Sequence, residues 1–132
     1  MKDSCVIGDE VTFKRIVEEK DIAAFEGGVV HEVYSTFSLA RDAEWTCRQF
    51  VLKMKEEDEE GIGTFVNIRH VSPALLGSEV VFKARIYEID HHAVNCKFEA
   101  TVNERIIAEG EIGQKILLKE KVNKLFKDLE GR

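Results

Sequence analysis

Residues 63 to 118 carry four successive segments in which apolar and other residues alternate, a period of two that only a β-strand turns into one buried and one open face. They read "GTFVNIRHVS", "EVVFKARIYEI", "HAVNCKFEATV" and "RIIAEGEIGQKILL". The second segment sets Val80, Phe82, Ala84 and Ile86 against Lys83, Arg85 and Tyr87, and the third sets Val94, Cys96, Phe98, Ala100 and Val102 on one side. The fourth places Ile106, Ala108, Ile112, Ile116 and Leu118 in register. The short connections "DHH" and "NE" make the last three segments antiparallel neighbours.

The stretch upstream differs in kind. From Thr36 to about Met54, "TFSLARDAEWTCRQFVLKM" contains no Gly or Pro and is rich in helix formers, with Ser35 or Thr36 placed to cap it. Ala40, Ala43, Cys47, Val51 and Met54 share one face and are small toward the N-terminal half, so this helix can lie close against a flat surface. The acidic run "KEEDEEG", residues 55 to 61, ends it and reads as a solvated loop. "EVTFKRIV", residues 10 to 17, reads as an earlier strand, and "AAFEGGVVHEVYS" as an irregular connection turning at Gly27-Gly28. The tail, 119–132, repeats Val122, Leu125, Phe126 and Leu129 at helical spacing and reads as a short amphipathic helix.

One strand, one long helix and four antiparallel strands have a compact solution, an α+β arrangement in which a curved antiparallel sheet of five strands wraps around one central helix. This is the hotdog architecture. At 132 residues, with 44% hydrophobic and 33% charged, the chain is expected to form a single domain spanning 1–132 with its own core. An exposed edge strand seeks a partner, so a homodimer with a continuous sheet is expected, with pairing into tetramers as a further possibility.

Composition narrows the function. A net charge of −6 argues against nucleic acid as partner, which needs a basic face. No segment has the length and apolarity to span a bilayer, and the N-terminus lacks a signal-peptide pattern, making the cytoplasm the expected compartment. Cys5, Cys47 and Cys96 form no CxxC pair, so neither a disulfide framework nor a metal site is expected, and helix-face Cys47 reads as packing. GxGxxG, P-loop, GxSxG and HExxH patterns are all absent. His91 and His92 read as exposed turn residues, and His31 as a loop residue.

Two ionisable residues stand out because their places are unusual. His70 falls on the apolar side of its strand with Thr64, Val66 and Ile68, opposite Phe65, Asn67 and Arg69. Glu44 falls within the arc of the helix that faces the sheet, where a carboxylate is costly unless paired. As residues alone they fit either structural pairing or acid-base chemistry with perturbed pKa values.

Taken with "EVYSTFSLARDAEW" and "GIGTFVNIRHVSPALLGSEV", the positions of Thr36, Glu44 and His70 resemble the fluoroacetyl-CoA thioesterase family of single-hotdog proteins. Gly61, Gly63, Thr64, His70, Pro73 and Gly77 match that family's strand motif, and the likeness covers residues 30 to 118. The resemblance implies hydrolysis of a small acyl-CoA thioester at a dimer interface by a Thr36/Glu44/His70 triad. Glu44 would act as nucleophile or as base for water, His70 as acid-base partner, and Thr36 as orienting hydroxyl. It implies substrate contacts at Gly63, Thr64 and Gln114, and no cofactor beyond the coenzyme A of the substrate. Gln114, in "GEIGQK", stands where the family carries an arginine on its last strand, so fluoroacetyl-CoA itself is not implied. The alternatives are a non-catalytic acyl-CoA-binding module, and a hotdog hydratase or dehydratase, whose Asp-His pair is missing here.

Overall fold

The computed structural model describes residues 1–25 and 27–131. Glu26, within the expected connection, and Arg132, at the end of the expected tail helix, lie outside the described residues. In chain order the elements are β1 (Glu10–Ile16), β2 (Ile22–Phe25), β3 (Gly28–Tyr34), α1 (Thr36–Met54), β4 (Glu59–His70), β5 (Glu79–Asp90), β6 (Ala93–Val102), β7 (Arg105–Leu118) and α2 (Lys119–Glu130). A turn of 3₁₀ helix at Glu19–Asp21 precedes β2.

The sheet is antiparallel, with strand order β1, β5, β6, β7, β4. Helix α1 packs across its concave face, as the alternation of β5 and β6 requires: Val80, Phe82, Ala84, Ile86, Val94, Cys96, Phe98 and Ala100 are all buried. From the helix come Leu39, Ala43, Cys47, Phe50, Val51 and Met54. The small residues Ala43 and Cys47 let the backbone approach, while Leu39 and Phe50 supply bulk that the stripe of small residues did not suggest. Each large side chain so buried stabilises the fold by roughly 1.5–3 kcal/mol. Ser35 caps the helix, its hydroxyl accepting from the Ser38 amide at 3.0 Å.

Several expectations are corrected. The connection before α1 is a two-stranded sheet, β2 with β3, turning at Gly27-Gly28 as expected. Strand β4 begins at Glu59, so the end of the acidic run is not a solvated loop. Glu59 is 5% exposed, its carboxylate 2.9 Å from the N-terminal amine and accepting from the Glu56 amide. On β7 a bulge skips Ile107 between the pairs Ala100–Ala108 and Thr101–Ile106. The phase therefore slips by one residue, burying Ile107 and leaving Ile106 44% exposed.

Candidate active site

The site grows from the contact between α1 and the edge strand β4. A second bulge, at Thr64, lies between the pairs Gly63–Gln114 and Phe65–Gly113. Upstream of it Gly61 and Gly63 face the helix; downstream the phase resets, and Ile68 and His70 are half-buried on the helix side while Asn67 and Arg69 are exposed. A methyl group on Gly61 would overlap the Val51 side chain, and one on Gly63 would sit 2.9 Å from the Glu44 Oε1. The glycines are what let α1 and Glu44 come this close.

The six residues expected from sequence fall into two groups. Thr36 and His70 form the first, with Thr36 Oγ1 and His70 Nδ1 2.9 Å apart. His70 Nε2 is buried and, among the described residues, has no hydrogen-bond partner. Burial lowers the imidazole pKa below its ordinary value, a backbone contact at Ser72 offsetting only part of this, so the ring is neutral at pH 7.

The second group is Glu44, Gly63, Thr64 and Gln114. Glu44 is partly exposed, its carboxylate resting on Gly63, and Gln114 is 2% exposed, its Nε2 donating to the Glu44 carbonyl at 3.4 Å while its Oε1 has no partner among the described residues. The Thr64 hydroxyl stands beside Gly113, and the bulge leaves Thr64 without a partner in the ladder. Thr36 and Glu44 are eight residues apart on α1, about 12 Å along the axis. Among the described residues no hydrogen bond joins the Glu44 carboxylate to Thr36 or His70.

A third cluster went unnoticed in the sequence. Asp21 is fully buried and Asp42 is 4% exposed, and two arginines hold them. Arg15 Nη2 donates to Asp21 Oδ1 at 2.9 Å, Arg41 Nη2 to the same oxygen at 3.0 Å, and Arg41 Nε to Asp42 Oδ1 at 3.2 Å. The Tyr34 hydroxyl donates to Asp42 Oδ2. Burial alone would raise the Asp21 pKa, but the Glu18 amide and the two guanidiniums outweigh it and hold the carboxyl below its usual range. The Asp21 carbonyl also accepts from the Ser35 amide, so the network fixes the first turn of α1 and with it Thr36. The adjacency of Arg41 and Asp42 was the available signal, but it does not show that Asp21 lies beside them.

Other candidates fall away from the site. Cys47 is 1% exposed and in contact with the Cys96 thiol, which with burial pushes its pKa up, so it offers no thiolate. His91, with φ of +54° in the β5–β6 turn, pairs with Asp90 and is exposed, and His31 and His92 are exposed as well.

A hotdog sheet around one helix, with a neutral histidine held by a threonine and a carboxylate set on a glycine, is an arrangement suited to acyl transfer. Residues 17–120 match the fluoroacetyl-CoA-specific thioesterase family, and the chain belongs to that family and is a thioester hydrolase. Among solved structures it resembles a hypothetical protein of Thermus thermophilus, a thioesterase superfamily member. The two are 35% identical over 98% of this chain and 96% of that one, with a TM-score of 0.91. A structure of the fluoroacetyl-CoA thioesterase itself aligns over 96% of this chain and 98% of that one, at 19% identity and a TM-score of 0.82. A hot-dog-like protein from Thermanaerovibrio acidaminovorans aligns over 92% and 90%, at 15% identity and a TM-score of 0.84. These last two show likeness of fold alone. No curated protein matches the sequence. Among the described residues no helix is long and apolar enough to cross a membrane.

Proposed function

We propose that the protein, acting as one domain over 1–132, hydrolyses a small acyl-CoA thioester to the free acid and coenzyme A, without any further cofactor. The observation that carries this is the neutral His70, fixed at Nδ1 by Thr36 and with a buried, unpartnered Nε2. With Nδ1–H donated to the threonine oxygen, Nε2 presents a lone pair. The Glu44 carboxylate supplies the attack, either on the thioester carbon directly or by holding a water against it. In the water route, water gives a proton to Nε2 as it adds to the carbonyl, the carbon–sulfur bond breaks, and the imidazolium returns that proton to the departing thiolate. In the direct route, attack by Glu44 breaks the carbon–sulfur bond and leaves an acyl anhydride on Glu44; water then gives a proton to Nε2 as it adds to the anhydride, the acyl carbon–oxygen bond to Glu44 breaks, and the imidazolium passes that proton to the thiolate. The amides at Gly63, which lies against the Glu44 carboxylate, and at the Thr64 bulge serve as donors to the developing oxyanion, and Gln114 holds the Glu44 carbonyl. Solved structures of the fluoroacetyl-CoA-specific thioesterase hold fluoroacetate with CoA in one case and acetyl-CoA in another, which agrees in class with a short acyl chain. Gln114 replaces the arginine of that family, which removes a reason to expect fluoroacetyl-CoA here.

The two groups of residues are brought into one site by a homodimer. Strand β4 is an edge strand of 12 residues in which positions 63 to 67 are all exposed, including Phe65 at 39% and Val66 at 47%. Phe37 and Trp45, at 81% and 45%, extend the apolar surface along α1. Such an edge is satisfied by antiparallel pairing with its own copy. A two-fold axis at Phe65, the midpoint of the exposed run, sets Gly63 opposite the partner's Asn67. The partner's His70 then lies three residues further along, about 10 Å, whereas the chain's own His70 is seven residues from Gly63, about 24 Å. A working site takes Glu44 from one protomer and Thr36 with His70 from the other. A tetramer built from two such dimers is compatible with this and adds nothing to the site.

The test is thiol release from acyl-CoAs of increasing length by wild type, Glu44→Gln, His70→Ala and Thr36→Ala. Loss of Glu44 or His70 should lower kcat/KM by ~10²–10⁴, and wild type should show an acid limb below the ordinary imidazole range. Glu44→Gln and His70→Ala proteins, unfolded and refolded together, should regain about a quarter of wild-type activity, because half the dimers then hold one intact shared site. No regain places the triad within one protomer; binding without turnover across the panel makes the protein an acyl-CoA-binding module instead.

A further inference from the structure

Two apolar patches are left uncovered at opposite ends of β4. The first is on α2, which is joined to the start of β4 by a 2.8 Å hydrogen bond from the Lys119 amide to the Asp58 carbonyl. The face that buries Val122 runs on past the body of the protein, leaving Leu125, Phe126 and Leu129 at 54%, 53% and 51% exposed. The second is the turn after β4, where Val71, Leu75 and Ile106 are 58%, 62% and 44% exposed. This turn is rigidly held. The Val71 and Ser72 amides both donate to the Ile107 carbonyl, and Arg105 donates to the Pro73 carbonyl at 2.9 Å.

In one protomer the patches cannot meet, since the 12 residues from Glu59 to His70 span about 37 Å. The two-fold pairing of β4 superposes them. With the axis at Phe65, Asp58 at the base of α2 faces the partner's Ser72, and the helix, about 18 Å long, is long enough to cover the partner's turn. Charge agrees with this placement in net sign: on α2 four lysines, Lys119, Lys121, Lys124 and Lys127, outnumber Glu120, Asp128 and Glu130, and around the turn exposed Glu32, Glu79 and Glu104 outnumber Arg105.

We propose that the apolar face of α2 docks on the Val71–Leu75 turn of a second copy of this chain, twice per dimer. The docked helix closes the end of the partner's β4 where Thr36 and His70 meet, so a C-terminal element of one subunit walls the acyl site of the other. The proposal rests on the β4 dimer and extends it.

The experiment is a double-mutant cycle on the full chain, read as the dimer dissociation constant by analytical ultracentrifugation. The substituted side chains are half-exposed or more, so the fold is expected to tolerate them. Phe126→Asp and Leu75→Asp should each weaken the dimer at least tenfold, and the double variant should be no weaker than the worse single one, because both break the same contact. An unchanged constant in either single variant, or effects that multiply in the double variant, overturns the proposal. So does an α2 that floats with anionic phosphatidylserine vesicles while both constants stay unchanged. Failure of the underlying dimer reads differently: wild type would then sediment as a monomer, or Phe65→Lys would leave the dimer intact.

Discussion

Gly61 and Gly63 are two residues apart on one strand, yet adding a methyl group to each should break different things. At Gly61 the new carbon would overlap Val51, itself 1% exposed against the sheet, with the Arg48 Nη1 3.3 Å away. Val51 has nowhere to move without pushing α1 off the sheet. Overpacking of this kind costs ~1–3 kcal/mol, of which alanine recovers roughly 0.5–1 because glycine is the poorer strand residue. A net loss of about 1–2 kcal/mol should lower Tm by roughly 3–10 °C for a domain of this size. At Gly63 the new carbon meets a different neighbour, the far end of the Glu44 side chain, at 2.9 Å. A flexible, partly exposed carboxylate can swing aside, so stability should change by less than about 0.5 kcal/mol. The carboxylate would then sit about 1 Å from its working place, a misplacement that can cost ~10² in rate.

The pair is measured by thermal unfolding and by thiol release on the same preparations. Gly61→Ala should melt early and keep most of its activity per folded molecule. Gly63→Ala should melt near wild type and lose activity about a hundredfold, chiefly in kcat. Full activity in Gly63→Ala would show that the position of Glu44 does not matter to the chemistry, and the catalytic role assigned to it would fall. Equal melting losses in both variants would refute the contrast between a fixed valine and a movable carboxylate.

Two further outcomes follow from the buried groups. Asp21→Asn removes one of the two carboxylates that Arg15 and Arg41 share and should cost ~3 kcal/mol, the low end for a broken buried pair because Asp42 still pairs with both and Arg41 is half exposed. Because the folded pKa of Asp21 is depressed, its contribution is present above pH ~4 and lost as pH falls through the folded value; the gap between wild type and variant in urea unfolding should therefore narrow in acid, and a constant gap would contradict the pairing. Cys47→Ala should keep activity per folded molecule within about threefold, since a buried thiol with a raised pKa attacks nothing; a hundredfold loss would contradict its reading as a packing residue.

The fold was legible because its strongest signals are periodic. The alternation of β5 and β6 and the breaker-free run of α1 each repeat over ten or more residues, so a local error cannot hide them. What was hidden is aperiodic. The bulges at Thr64 and Ile107 each add one residue to a strand, and no composition marks them, yet each moves every later side chain to the opposite face. The Asp21–Arg15–Arg41–Asp42 network joins three elements through contacts that exist only after folding, and β2 and β3 are short and interrupted by two register shifts.

The candidate site shows the same division. His70 on a helix-facing strand position and Glu44 on the sheet-facing arc were readable from period alone, and Thr36 beside them from the resemblance. Their mutual distance was not, because it depends on the bulge at Thr64, which turns Gly63 toward Glu44, and on how far α1 runs before reaching it. Within one protomer the backbones at Glu44 and Thr36 are about 12 Å apart along α1, and among the described residues no hydrogen bond joins the Glu44 carboxylate to Thr36 or His70. On the proposed mechanism the imidazole of one protomer works with the carboxylate of the other. The open edge of β4 is where that second copy would pair, so on this mechanism a variant that blocks β4 pairing should lose activity together with the dimer.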